Sequence, residues 1–316
     1  MRMNRNQAKK TSLSSLLRAL GTILSLGLVA LLLWQNWDDF INSFNRLSLR
    51  VLVILVFLAF FSRFIVTLRW FILLRVVEPE IKLDQAFKLS FVGLFTTNFL
   101  PSTIGGDFVK LGCATQFGLD SAAVAGSLVI DRIVGMTTMA TFLPIGILTI
   151  SQGNGFSTIL SASNTGVLLS KVLGKIKDYF LRVILALETW LKHPFQLFIA
   201  ACLSFVHMAC TFTMVFLILR DLNNPTSWWV SGGLWVLVYF ITLLPISING
   251  LGLQEASLSM AFTSFASISE SNGLVLAVMI RVLFMIASLP GAFFLYKTLS
   301  GDKLFPGKFL EKKPRE

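Results

Sequence analysis

Six ionisable side chains sit inside otherwise apolar stretches of this sequence: Asp107, Lys110, Asp131, Arg132, Glu255 and Arg281. Their chemistry is charge recognition rather than bond-making. Arg132, Arg281 and Lys110 can hold a phosphate, and Asp107 or Glu255 a cationic amine. At the centre of a bilayer each charge costs about 2.5–3.5 kcal/mol on insertion scales, so such residues pair, face a cavity, or do both. Three are acidic and three basic, so complete mutual pairing is the plain structural alternative. Asp107 and Lys110 are three apart and can meet on one helix face. Asp131 and Arg132 are adjacent, point about 100° apart, and each needs a partner elsewhere, for which the other half of the chain is the expected source. Arg63 and Arg69 could touch a phosphate on its way in, although snorkelling to the interface is the commoner behaviour of such residues.

The elements that must position these charges are unusual. The run Leu100-Pro101-Ser-Thr-Ile104-Gly-Gly106 aligns without gaps to Leu244-Pro245-Ile-Ser-Ile248-Asn-Gly250. Leu, Pro, Ile and the final Gly coincide. Proline cannot continue a helix, and the glycines loosen the next turn. Each break is followed by an acid, Asp107 or Glu255, and then by an apolar helix carrying an arginine, Arg132 or Arg281. Such a break frees backbone groups that lipid cannot satisfy, so it is tolerated only inside protein or beside a wet cavity. Paired Pro/Gly interruptions in two halves of a chain point to a transporter site. The helix starting near Gly106 also turns its positive end toward its break. First-turn acids at helix N-termini would explain Asp107 and Glu255 as capping residues, but not the breaks themselves.

Composition supplies the solvent. Of the 316 residues, 55% are hydrophobic and 14% charged, against about 25% charged in a soluble domain. The expected architecture is an all-α polytopic integral membrane protein with seven or eight helical elements, two of them broken or re-entrant within an internal repeat. The net charge of +11 comes from 27 Lys and Arg against 16 Asp and Glu. The basic residues lie mostly at the ends and in one loop, which suits anchoring beside anionic lipid on the cytoplasmic side and not nucleic-acid binding. Cys113, Cys202 and Cys210 form no CxxC pair, and His193 and His207 have no ligand company, so no metal or other cofactor is expected.

Along the chain, residues 1–18 form a basic cytoplasmic N-terminus, followed by an uncleaved first span over Leu16–Trp34. A short external loop holds Asp38, Asp39, Arg46 and Arg50. A second span runs from Val51 to about Leu74. Residues 86–150 make the first repeat-like half, including a span over Ala122–Ile150. Residues 151–193 hold a linker and an amphipathic helix over Val167–Lys192, with Leu169, Val172, Leu173 and Ile176 at helical spacing. Five basic residues against two acidic ones place that helix on the membrane surface or against other helices. Further spans cover Phe195–Leu219 and Trp228–Leu244. Residues 228–297 make the second half, ending in a span over Gly273–Tyr296. Residues 298–316 form a basic cytoplasmic tail. All 316 residues read as one membrane domain.

The run Asn98-Phe-Leu-Pro-Ser102-Thr-Ile-Gly105-Gly106-Asp107-Phe-Val-Lys110 resembles a known family. So do Asp131-Arg132-Ile-Val-Gly135 and Pro245-Ile-Ser-Ile-Asn249-Gly250-Leu-Gly252-Leu-Gln-Glu255-Ala. Together they look like the lysylphosphatidylglycerol synthase transmembrane-region family, a flippase-like group, over nearly the whole chain. The resemblance places functional interest on Gly105, Gly106, Asp107, Lys110, Asp131, Arg132, Gly250, Gly252, Glu255 and Arg281. Asn98, Ser102 and Asn249 join them as candidate headgroup contacts. Lys110 stands where arginine is common, and Asn249 where glycine is common. These residues hold no counterpart of the soluble aminoacyltransferase domain, so synthesis of lysylphosphatidylglycerol is not expected.

The leading expectation is a translocase in the cytoplasmic membrane for a lipid, anionic or polyprenyl-phosphate-linked, with its headgroup site at the paired breaks. The alternative is a non-catalytic membrane partner of a lipid-modifying enzyme or glycosyltransferase. A third reading is an intramembrane transferase with Asp107 or Glu255 as base. No GxSxG, P-loop or HExxH motif is present.

Overall fold

A 15-residue helix is about 22 Å long, too short for a hydrocarbon core about 30 Å thick. Two such helices, each leading into a break, set the architecture. The computed structural model describes residues 27, 30–31, 34–35, 37–100, 105–152, 188–243, 247 and 250–299. Most of the first span, the linker and amphipathic helix, the basic tail, and Pro101–Ile104 and Asn249 in the breaks therefore lie outside the described residues.

The described chain is all-helical: α1 (Trp37–Asn45), α2 (Leu49–Arg75), α3 (Leu83–Thr97), α4 (Gly105–Gln116), α5 (Ser121–Ala140), α6 (Leu143–Gln152), the single turn α7 (Glu188–Leu191), α8 (Pro194–Asp221), α9 (Trp228–Thr242), α10 (Leu253–Ala266), α11 (Glu270–Ser288) and α12 (Pro290–Leu299). Four stretches are long and apolar enough to cross a membrane: Leu49–Arg75, Ser121–Ile150, Pro194–Asp221 and Glu270–Ser288.

This is more than the seven or eight helical elements expected, and prolines account for much of the difference. Pro144 and Pro290 stand at the starts of α6 and α12, where a ring without an N–H is tolerated, and each divides a stretch that reads as one span. The expected loop at Asp38 and Asp39 is also helical, with both acids in the first turn of α1. There they complement the positive helix end.

The repeat reaches further back than the two breaks. A long helix (27 residues in α2, 28 in α8) precedes a 15-residue helix in each half (α3, α9). The break comes next, then a helix of 12 or 14 residues (α4, α10), one of 20 or 19 (α5, α11) and one of 10 (α6, α12). Asp120 caps α5 by accepting from the Ala123 N–H, and Ser269 caps α11 by accepting from the Asn272 N–H.

Contacts between α2 and α8 give the relation of the halves. The Ser48 N–H donates to Asp221, Ser62 Oγ meets His207 Nδ1, and Arg69 donates to Ser204 Oγ. Trp190 Nε1, just ahead of α8, donates to the Leu73 carbonyl. Numbers rise on one helix as they fall on the other, so the equivalent helices are antiparallel and the halves have inverted topology.

The helices on either side of the first break, α3 and α4, pack as a hairpin. A Cβ at Gly106 would collide with Thr97 Oγ1 and the Gly93 carbonyl, while Gly93 itself lies against the Lys110 side chain. So α4 returns antiparallel along α3 at backbone contact. The second break uses positive backbone angles instead, φ +66° at Gly250 and +73° at Gly252, with α10 packed on α9.

The hairpin contact gives a first prediction. Gly106→Ala forces α4 off α3 and should cost about 1–3 kcal/mol, the usual range for overpacking. Gly112→Ala, where a Cβ meets nothing within 4 Å, should instead stabilise the same helix by about 0.5–1 kcal/mol. Apparent melting midpoints of the two purified variants, moving in opposite directions from wild type, would establish the close approach.

Candidate functional site

Each half pairs its own acid with its own arginine. Arg132 on α5 reaches Asp107 in the first turn of α4, 2.5 Å from Nε to Oδ2. Arg281 on α11 donates through Nε to Glu255 in the first turn of α10. The separations in sequence are 25 and 26 residues. Arg281 also donates to the Gly250 carbonyl at 3.2 Å, so it satisfies an acceptor that the second break leaves without a helical partner.

The expected pairing between halves does not form. Arg132 takes its partner from its own half, and Asp131 takes Arg69 from α2. That pair is bidentate, Nε to Oδ1 at 2.7 Å and Nη2 to Oδ2 at 2.9 Å, with Nη1 donating to Ser204 Oγ at 2.9 Å. The fork geometry explains why an arginine serves here. Arg69 is buried rather than snorkelled. Asp107 and Lys110 do not pair either. The Lys110 ammonium lies over the Trp70 ring, 4.4 Å from its centroid, and Trp70 is fixed by its Nε1 donating to Ser127 Oγ.

Between α2, α3, α8, α9, α11 and the second break lies a cavity of about 260 Å³. Its wall includes Thr97 and Asn98 at the end of α3, Thr242 at the end of α9, and Gly250, Gln254 and Arg281. Arg63, His207, Tyr239, Trp235, Phe284 and Ser288 also line it. Asn98 is held by Nδ2 donating to Ser288 Oγ at 2.8 Å. Arg63 is the fifteenth of the 27 residues of α2, and His207 the fourteenth of the 28 of α8, so the cavity sits halfway along both long helices.

Of the residues singled out from sequence, the cavity brings together Asn98, Gly250 and Arg281, with Glu255 directly behind Arg281. Gly105, Gly106, Asp107, Lys110, Asp131, Arg132 and Gly252 are not in its wall. Ser102 and Asn249 lie outside the described residues. Sequence reasoning missed Trp235, Tyr239, Thr97, Thr242, Gln254 and Ser288, and set Arg63 and His207 aside. The available signal was position: a charged and a titratable residue each at the middle of a long apolar helix. Among the described residues no three His, Cys, Asp or Glu side chains form a metal-binding group.

An all-helical chain with four stretches long and apolar enough to cross a membrane, and a polar cavity halfway along two of them, defines a polytopic helical membrane protein. The sequence matches the family described as lysylphosphatidylglycerol synthase TM region over residues 18–291, and the chain belongs to that family. No curated protein matches it.

The Arg69–Asp131 pair gives a second prediction. Asp131→Asn leaves a buried guanidinium without a counter-charge and should cost about 3–5 kcal/mol. Replacing both partners by apolar residues, Arg69→Met with Asp131→Leu, should recover most of that loss. Thermal unfolding of the single and double variants decides it. A double variant as unstable as the single one would mean that the charges do more than neutralise each other.

Proposed function

We propose that this protein moves a lipid across the cytoplasmic membrane, with the lipid's headgroup carried through the mid-depth cavity between the two breaks. The observation that carries the reading is the cavity's placement. It lies at the midpoints of two antiparallel equivalent helices, with the end of α3 and Gly250 of the second break in its wall. Inverted repeats with discontinuous helices around a midplane site are the architecture of alternating access. Membership of the lysylphosphatidylglycerol synthase TM region family supports a lipid as cargo. At about 260 Å³ the cavity is smaller than a drug-sized pocket of roughly 300–1,000 Å³, so it takes a headgroup while the acyl chains stay in the bilayer.

The residues divide by role. The backbone near Gly250 and the side chains of Asn98, Gln254 and Arg281 receive the headgroup. Asp107 and Glu255 hold their arginines in place at the two breaks.

Translocation in proteoliposomes tests this. Wild-type protein should equilibrate a fluorescent phospholipid between leaflets faster than protein-free vesicles. Thr242→Trp, which fills the cavity, should abolish the gain, while Phe198→Leu on the exposed face of α8 should leave it unchanged. Folded wild type that moves neither a phospholipid nor a polyprenyl-phosphate lipid would remove the transport reading and turn attention to an enzyme partner.

A further inference from the structure

Among the described residues, eight charged side chains bear on the breaks and the packing around them: Arg63, Arg69, Asp107, Lys110, Asp131, Arg132, Glu255 and Arg281. The three carboxylates are taken by Arg132, Arg69 and Arg281. Two cations remain, and each lies over an aromatic ring: Lys110 over Trp70, and Arg63 over Phe284 with its guanidinium carbon 4.0 Å from the centroid. Lys110 is buried in the hairpin packing, whereas Arg63 faces the cavity.

Arg63 Nε is buried and has no hydrogen-bond partner. Trp235 Nε1 is also buried and has none. Both residues line the cavity, and both pack on Phe284, Trp235 edge-on at 6.3 Å between ring centroids. An indole N–H and a guanidinium N–H can only donate. Buried polar groups are partnered as a rule, so two unmatched donors flanking one ring call for an acceptor. No carboxylate lines the cavity among the described residues. Glu255 Oε2 is likewise buried without a partner, but it stands behind Arg281 and outside the wall.

We infer that the cavity is an oxyanion site, in which Arg63 and the Trp235 N–H hold the phosphate of a net-anionic lipid headgroup at mid-depth. This rests on the proposed headgroup role of the cavity and names the charge class it takes. A phosphate accepts at every oxygen and supplies the charge that Arg63 lacks. A headgroup that also carries an ammonium finds no acid in the wall to receive it, so anionic headgroups are preferred over zwitterionic ones. Of the three phosphate ligands expected from sequence, Arg281 lines the cavity, while Arg132 is held by Asp107 and Lys110 lies over Trp70.

Binding to the purified full chain in a neutral detergent tests the site apart from transport. The probes are dihexanoyl-phosphatidylglycerol, dihexanoyl-phosphatidylcholine and inorganic phosphate, read by calorimetric affinity and by ligand-induced shift of the melting midpoint. Wild type should bind the phosphatidylglycerol at least tenfold more tightly than the phosphatidylcholine. Arg63→Gln should lose about tenfold or more, Arg63→Lys less, and Trp235→Phe severalfold. Without ligand, Arg63→Gln should melt no lower than wild type, because it removes a buried charge that has no counter-charge.

Arg63-dependent binding of inorganic phosphate as tight as that of the lipid would make free phosphate the source of the oxyanion. Unchanged affinity in Arg63→Gln, or no binding of any probe by wild type, would overturn the site. A lowered melting midpoint with unchanged affinity would make Arg63 a structural cation and overturn it equally. If Arg63→Gln does not fold, Trp235→Phe decides alone, since it keeps the ring stacking and removes only the N–H. Arg63-dependent binding without translocation keeps the site and removes the transporter. Translocation of a lipid that Arg63→Gln leaves intact does the reverse.

Discussion

Carboxylates are scarce in the interior of this protein, and the arrangement of charge stems from that scarcity. A low-dielectric interior penalises every ion without a counter-ion. Among the described residues three carboxylates serve five cations. Two of them stand in the first turns of the helices just after the breaks, where the helix end already favours negative charge. Each draws an arginine from the next helix of its own half onto the break. The third, Asp131, ties α5 to α2. Where no carboxylate remains, an aromatic face takes over, and the quadrupole of a ring only partly replaces an ion. The distribution of acids therefore decides which cations are neutralised by a carboxylate and which rest on an aromatic face.

The inverted repeat is the geometric counterpart. The two halves build the same sequence of elements from little common sequence, and the shared feature is backbone logic: a long helix, a short one, a break, an acid, an arginine. The charges depart from that symmetry. Aligning Arg132 with Arg281 sets Asp131 opposite Ile280, a fully buried apolar residue. The bidentate pair with Arg69 thus has no counterpart in the second half.

The class of fold was legible because hydropathy and composition dominate it. The breaks were legible because proline and paired glycines interrupt apolar runs, and the two acids and arginines stood at matching places in both halves. Their pairing within each half was not legible, since sequence shows spacing but not how a helix returns. The Arg69–Asp131 bond spans 62 residues and three connections of the chain, beyond any local rule. Arg63 was set aside because a basic residue in the later half of a span commonly snorkels to the interface. Its place at the centre of α2 was the contrary sign. Pro144 and Pro290 carried the remaining helix boundaries, and hydropathy averaged over them.

The last helix of each half packs on the other half. α6 lies on α9, where Gly146 meets Gly233 at backbone distance, and α12 lies on α3, where Gly291 meets the Phe91 carbonyl. The packing units are therefore not the two stretches of sequence. One combines the first hairpin with the C-terminal helix, and the other the second hairpin with α6. A cut of the chain between residues 152 and 188 would yield fragments that each lack a helix covering their own hairpin. Such fragments depend on each other for completion, as exchanged arms do in a swapped dimer.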